Sequence, residues 1–259
     1  MDCNCSTCKN SATCYRELYP TICITRACTQ KCMHCCFDCG PDKTKSMSFH
    51  TAYNINKFLH ANSIKRINIS SGEFICHPKW WPALTILVKG IEKVRLISNG
   101  DWAASQQASN VLEFLETNPQ VKMSISNDRW HTNTNVQIAI RLLALTELHF
   151  NVATPEETTP ESIVPVGRAS GEFMSTAYSM FSRYCTKPNR KYEFLIDEDG
   201  KIYKCPFGLW EYDSINRFLD GGFAERFKEF TSTYYKTFIS NCTACNRIYN
   251  KALHPSVNG

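Results

Sequence analysis

Residues 21–35 read TICITRACTQKCMHC, an alternating apolar run followed at once by Cys28, Cys32 and Cys35 with three and then two residues between them. The alternation over Thr21 to Thr25 predicts a strand half-buried against a core. The cysteines come directly after it, so their thiols belong to the loop leaving the strand's carboxyl end. Short links let successive sulfurs reach different corners of a cubane. Three thiolates, unlike four, leave one iron of a [4Fe–4S] cluster open to a further ligand. Three cysteines with His34 would equally complete a tetrahedral zinc site. Spacing by itself leaves both open.

Downstream, strand-like runs alternate with stretches of helical periodicity. Strands are expected at Lys65 to Ser70, Val94 to Ser98, Val121 to Ser126, Leu148 to Ala153 and Ser162 to Val166. Between them, helices are expected at Phe49 to Leu59, Trp81 to Ile91, around Val111 to Leu115, and at Val136 to Leu145. Repeated strand–helix units predict an α/β fold, a partial (β/α)6 TIM-like barrel over residues 20–169. Such barrels carry their chemistry at the carboxyl ends of the strands. That is where the three cysteines stand.

The pattern changes after Gly167. A helix-like stretch from Glu172 to Tyr184 leads into YEFLIDEDGKIYKC, where two alternating runs flank Asp199-Gly200 and predict a hairpin. Phe223, Phe227, Phe230 and Tyr234 then recur at helical steps. Residues 170–259 are therefore expected to form a small cysteine-rich module, a β-hairpin plus a helix, and residues 1–19 a cysteine-rich extension.

Fifteen cysteines in 259 residues need an explanation. The N-terminal MDCNCSTCKN is not a secretory signal, so the expected compartment is the reducing cytoplasm, where thiols serve metals more readily than disulfides. No apolar run reaches the length of a membrane span. The net charge of +5 is spread over scattered Lys and Arg, so nucleic acid is not the expected partner. Lys79, Trp80, Trp81 and Lys89 interleave aromatic and basic residues, but read as an amphipathic core helix.

The cysteine spacing, placed after the first strand of a barrel, resembles the radical S-adenosylmethionine superfamily. That resemblance implies that His34, ahead of the third cysteine, approaches the adenine of S-adenosylmethionine. It gives Ser71-Gly72-Glu73, directly after INIS, the part of the turn that holds the methionyl amino group. Ser98 and Asn99, and Ser126 with Asp128, match the polar residues used near ribose and carboxylate. In PVGRA, Val164 and Val166 would line the adenine pocket, and Arg168 would fix the domain junction or a substrate anion.

Cys185, Cys205, Cys242 and Cys245 would close a second ligand set from a hairpin and a CxxC. A zinc ribbon fits the same pattern. Behind a barrel it resembles the twitch domain, the short form of SPASM, which holds one auxiliary [4Fe–4S] cluster. Two clusters are then implied. Cys3, Cys5, Cys8 and Cys14 offer a further metal site or redox-sensitive thiols, and Cys36, Cys39 and Cys76 are leftover thiols that would serve as hydrogen donors if they faced the substrate.

The resemblance implies reductive cleavage of S-adenosylmethionine by an external donor of flavodoxin or ferredoxin type, and hydrogen abstraction from a peptide or small polar metabolite. Oxidation with the auxiliary cluster as acceptor is the first expectation. A redox-neutral epimerase with a cysteine donor is the second. A zinc-binding interaction or nucleic-acid module is the alternative from another class.

Overall fold

The structure, a computed structural model, describes residues 18–128, 131, 135–153, 193–204, 211–227 and 229–230. The elements run β1 (Tyr19–Ile22), α1 (Phe49–Ala61), β2 (Arg66–Ile69), α2 (Trp80–Val88), β3 (Lys93–Ser98), α3 (Ala108–Thr117), β4 (Val121–Ser126), α4 (Val136–Leu145), β5 (Phe150–Ala153), β6 (Glu193–Ile196), β7 (Lys201–Tyr203) and β8 (Glu211–Ser214). One sheet holds all these strands in the order β5-β4-β3-β2-β1-β6-β7-β8. Pairing is parallel from β5 through β6, and antiparallel from β6 to β7 and β7 to β8. The strand–helix alternation thus gives the expected parallel α/β sheet.

Strand alternation explains the two faces. Ile67, Ile69, Val94, Leu96, Met123 and Ile125 are buried on one of them. The other is polar and in register, with Thr21 beside Asn68 and Asn68 beside Arg95. There Tyr19 Oη donates to Asn68 Oδ1 at 2.7 Å and Arg95 Nη2 to Ser124 Oγ at 2.9 Å.

Ser48 caps α1 by accepting the Thr51 N–H at 3.0 Å, and α1 buries Ala52, Ile55, Phe58 and Leu59. α2 stops at Val88, short of the expected Ile91. Gly90 turns the chain at φ +72°, where a Cβ would stand 2.7 Å from the His60 ring. Trp80 is buried between Phe74 and Phe114, which is the core-helix reading of the Trp-Lys stretch.

β1 runs from Tyr19 to Ile22 rather than from Thr21 to Thr25. Beyond it Thr25 turns away from the sheet to bridge Ser46, and its hydroxyl donates to the Lys45 carbonyl at 3.1 Å. β5 begins at Phe150, two residues later than expected. The strand expected at 162–166 and the helix at 172–184 lie outside the described residues.

The hairpin forms where Asp199-Gly200 predicted it, with Gly200 at φ +81°. β6 then pairs with β1 in parallel, residue for residue from Tyr19 with Glu193 to Ile22 with Ile196, so the hairpin continues the barrel's own sheet. Residues 223–227 are helical. Phe223 and Phe227 are fully buried against Phe194, and Phe223 stands edge-on to Phe58 with ring centroids 5.0 Å apart. Asn62, just past α1, locks this joint: its Nδ2 donates to the Phe218 carbonyl at 3.0 Å and its Oδ1 accepts the Phe223 N–H at 2.9 Å.

Candidate active site at the carboxyl ends of the strands

The loop that follows β1 closes on itself at its base. Cys28 N donates to the Gly40 carbonyl at 3.1 Å, and Gly40 N to the Arg26 carbonyl at 3.2 Å. Cys32 is buried, and Cys28 and Cys35 are half-buried. Burial pushes the Cys28 thiol above its ordinary value, opposed by the backbone N–H groups of Gln30 and Glu73 that point at its sulfur. Those two donors favour a thiolate once a metal removes the proton. Cys35 Sγ accepts the Cys39 N–H at 3.3 Å.

The turn after β2 is fitted to that loop. Gly72 N donates to the Thr25 carbonyl and Glu73 N to the Ala27 carbonyl, both at 3.0 Å. A Cβ on Gly72 would stand 2.0 Å from the Ala27 oxygen, so only glycine admits this approach. Ser71 holds φ at +144°, a region side chains rarely enter. Its hydroxyl donates to the Thr25 carbonyl and accepts the Cys23 thiol at 2.7 Å, which pins it there.

Glu73 is buried, and its carboxylate reaches across to the end of β3. Oε1 accepts the Ser98 hydroxyl at 2.9 Å and Oε2 the Asn99 N–H at 2.8 Å. Burial outweighs these donors and lifts the carboxyl to about 8. Glu73 and Ser98 therefore spend their polar atoms on each other, bracing the β2 turn against the β3 turn.

Past β4, Asp128 Oδ1 lies 2.8 Å from Nδ1 of His131, and the His131 ring stands edge-on to His34 with centroids 4.9 Å apart. A cavity of about 210 Å³ opens among these groups. Cys28, Cys32, Cys35, His34, the Ser71-Gly72-Glu73 turn, Ser98, Asn99 and Ser126 all line it, as do Cys36 and Cys39. Cys76 does not line this cavity. A larger depression of about 660 Å³ at the opposite, amino ends of the strands is lined by Arg66, Lys93, Arg95 and Lys122 and holds no thiol. Barrel chemistry belongs at the carboxyl ends, so the smaller cavity is the candidate site.

Among the described residues, ligand atoms of His34, Asp128 and His131 lie within 4.8 Å of one another, and the three cysteine sulfurs are not so gathered. Tetrahedral zinc with bonds of about 2.3 Å would draw its sulfurs to about 3.8 Å apart. Three soft thiolate donors on one loop suit a soft metal centre, an iron–sulfur cluster among them.

Most of the residues singled out in the barrel sequence thus converge on one place. Val164, Val166, Arg168, Cys185, Cys205, Cys242, Cys245 and the amino-terminal cysteines lie outside the described residues. Sequence reasoning missed His131, Cys23 and above all Asp101. Asp101 Oδ2 accepts the Thr29 hydroxyl and Gln30 Nε2, the latter at 3.2 Å, and its Oδ1 accepts Asn135 Nδ2 at 2.9 Å. Its position directly after Ser98-Asn99-Gly100 was the only available sign.

No family profile matches the chain. Over 103 residues, 40% of this chain, it is 27% identical to the antilisterial bacteriocin subtilosin biosynthesis protein AlbA of Bacillus subtilis (strain 168), a match spanning 22% of that protein's length. In three dimensions it is similar to BtrN, solved with AdoMet and 2-DOIA, at a TM-score of 0.57 and 12% identity over 84% of this chain and 86% of that one. It is also similar to anSMEcpe, solved with AdoMet and the Cp18Cys peptide, at a TM-score of 0.52 and 13% identity over 81% and 82%. These are radical S-adenosylmethionine enzymes. The sheet, the three-cysteine loop after its first strand and these likenesses agree, and the chain has the fold of the radical S-adenosylmethionine enzymes.

Proposed function

We propose that the chain is a radical S-adenosylmethionine enzyme whose Cys28, Cys32 and Cys35 hold a [4Fe–4S] cluster. The observation that carries this is that the three thiols, on a loop leaving the first parallel strand, share one cavity with the Gly72 turn packed against that loop. When bound, the cluster supplies the electron that splits S-adenosylmethionine into methionine and a 5′-deoxyadenosyl radical.

The chain's own residues bind and orient. In this reading the backbone of the Ser71-Gly72-Glu73 turn, which lines the cavity, receives the methionyl amino group. His34 flanks the adenine, Ser126 faces the carboxylate and ribose, and Asp128 acts through His131. By the resemblance Val164 and Val166 would complete the adenine pocket, and Arg168 would meet the junction or a substrate anion.

The substrate class proposed is a peptide or a small polar metabolite, oxidised at a carbon. The small molecule in the BtrN structure and the peptide in that of anSMEcpe support both halves of this class. Residues 170–259 would form the twitch-like module, with Cys185, Cys205, Cys242 and Cys245 holding an auxiliary cluster that accepts the second electron. A flavodoxin- or ferredoxin-type protein would supply the first. Among the described residues no helix is long and apolar enough to cross a membrane. The presence of Cys36 and Cys39 at the cavity supports a second reading, a redox-neutral epimerase with a thiol donor.

Protein purified without oxygen is expected to carry about eight irons and to release 5′-deoxyadenosine from S-adenosylmethionine and reductant, and Cys28→Ser to lose that release. Zinc without iron would sink the proposal. Solvent deuterium appearing at the substrate carbon would select the epimerase reading.

A further inference from the structure

We infer that Asn99 serves the cluster rather than the S-adenosylmethionine, as a side-chain donor to the Cys28 sulfur that raises the cluster's reduction potential. This rests on the assignment of the cluster to Cys28, Cys32 and Cys35.

Asn99 is 7% exposed and fixed at three points. Its backbone N–H is held by Glu73 Oε2 at 2.8 Å. Its side-chain oxygen accepts the Asp101 N–H at 2.9 Å. Its Nδ2 stands 3.0 Å from Thr29 Oγ1 and 3.7 Å from Cys28 Sγ, within reach of a sulfur acceptor. Which end of an amide faces which neighbour is usually ambiguous. Here the Asp101 N–H can only donate, so the oxygen must face it and the NH₂ must face the thiol.

Its neighbours hold that arrangement in place. Asp101 ties down Thr29 and Gln30, the two residues after Cys28, and is itself held by Asn135 at the start of α4. Glu73 fixes the backbone of Asn99 from the other side. Sulfur and amide are therefore set by separate elements, the β1 loop and the β3 turn, clamped together.

An N–H aimed at a cluster thiolate stabilises the negative charge gained on reduction, and hydrogen bonds to sulfur are among the main determinants of cluster potential. Removing this donor should make the cluster harder to reduce without touching iron content. Asn99→Leu deletes donor and acceptor. Asn99→Asp keeps the acceptor for Asp101, deletes the donor and adds negative charge.

The test is an anaerobic redox titration, followed by electron paramagnetic resonance, of the unmodified protein and both variants, with iron content and S-adenosylmethionine affinity measured alongside. The expected result is full iron, unchanged affinity and a ratio of reduced to oxidised catalytic cluster about tenfold lower at a fixed potential, about 59 mV for one electron. Asn99→Asp should shift at least as far as Asn99→Leu, because it adds negative charge. An unmoved potential with weakened S-adenosylmethionine binding would overturn the inference and return Asn99 to the substrate side. Should Asn99→Leu lose its iron, Asn99→Asp decides alone. Iron loss in both would make Asn99 a structural brace and also overturn it. Zinc in place of iron in the unmodified protein would overturn the cluster assignment itself, whereas iron-loaded protein with unmoved variants overturns only the role of Asn99.

Discussion

Arg26 Nε donates to both carboxylate oxygens of Glu198, at 3.0 and 3.1 Å, joining the base of the cysteine loop to the hairpin across 172 residues of chain. Lys45 stands 3.4 Å from the same carboxylate, and Arg26 Nη1 also donates to the Phe37 carbonyl at 2.9 Å. Burial alone would raise Glu198, but the Arg26 charge and hydrogen bonds from Cys23 and its own backbone outweigh it, and the carboxyl lies below its ordinary value.

The sign of its pH effect follows. A carboxyl lowered on folding adds stability above its unfolded pKa of about 4.3, and loses it as pH falls through the lower folded value. Glu198→Gln should therefore cost about 1.5–3 kcal/mol at neutral pH, because Arg26 loses its charged partner and keeps only the Phe37 carbonyl. The gap between the two melting temperatures should narrow as the pH drops below about 4. Thermal melts across that range check it.

Gly72→Ala should fail locally rather than globally. The added methyl meets the Ala27 oxygen at 2.0 Å, and that oxygen belongs to backbone that cannot swing aside. The loop would be pushed out of register with the turn. Far-ultraviolet circular dichroism should be retained while iron content and S-adenosylmethionine binding fall together.

Asp101→Leu removes the acceptor shared by Thr29, Gln30 and Asn135. Hydrogen bonds to a charged group contribute about 1.5–3 kcal/mol each. Iron loss to an external chelator should accelerate by about tenfold or more, with the far-ultraviolet circular dichroism of the folded protein retained. Equal rates in variant and parent would show that the loop holds itself.

Phe223→Ala empties a site among Phe58, Phe194 and Phe227, all fully buried. A cost of about 3–5 kcal/mol is expected. Barrel and tail helix share this core, so denaturation followed by near- and far-ultraviolet signals should show one coincident transition in parent and variant alike.

How legible all this was depends on range. α4 occupies Val136–Leu145 as its apolar spacing required, and Ser71-Gly72-Glu73, singled out by the family resemblance and not by local pattern, lies in the turn after β2. Boundaries shifted where a local pattern met a distant partner. Ile22 to Thr25 alternates like a strand, yet Thr25 is claimed by Lys45 and Ser46, while Pro20 looks like a breaker and nonetheless lies inside β1. Glu198 and Asp101 sit beside turns and read as turn chemistry. Their meaning lies in Arg26 and Thr29, 172 and 72 residues away, which no local window contains.

The pairing of β1 with β6 also sets a timetable. Until residues 193–196 leave the ribosome, β1 has β2 on one side and an open edge on the other, and Arg26 lacks the carboxylate that anchors its loop. Closure of so long a circuit is slow compared with the local strand–helix steps. The base of the cysteine loop is thus braced first by the β2 and β3 turns, made soon after it, and gains the Arg26–Glu198 pair only once the distant hairpin has been made.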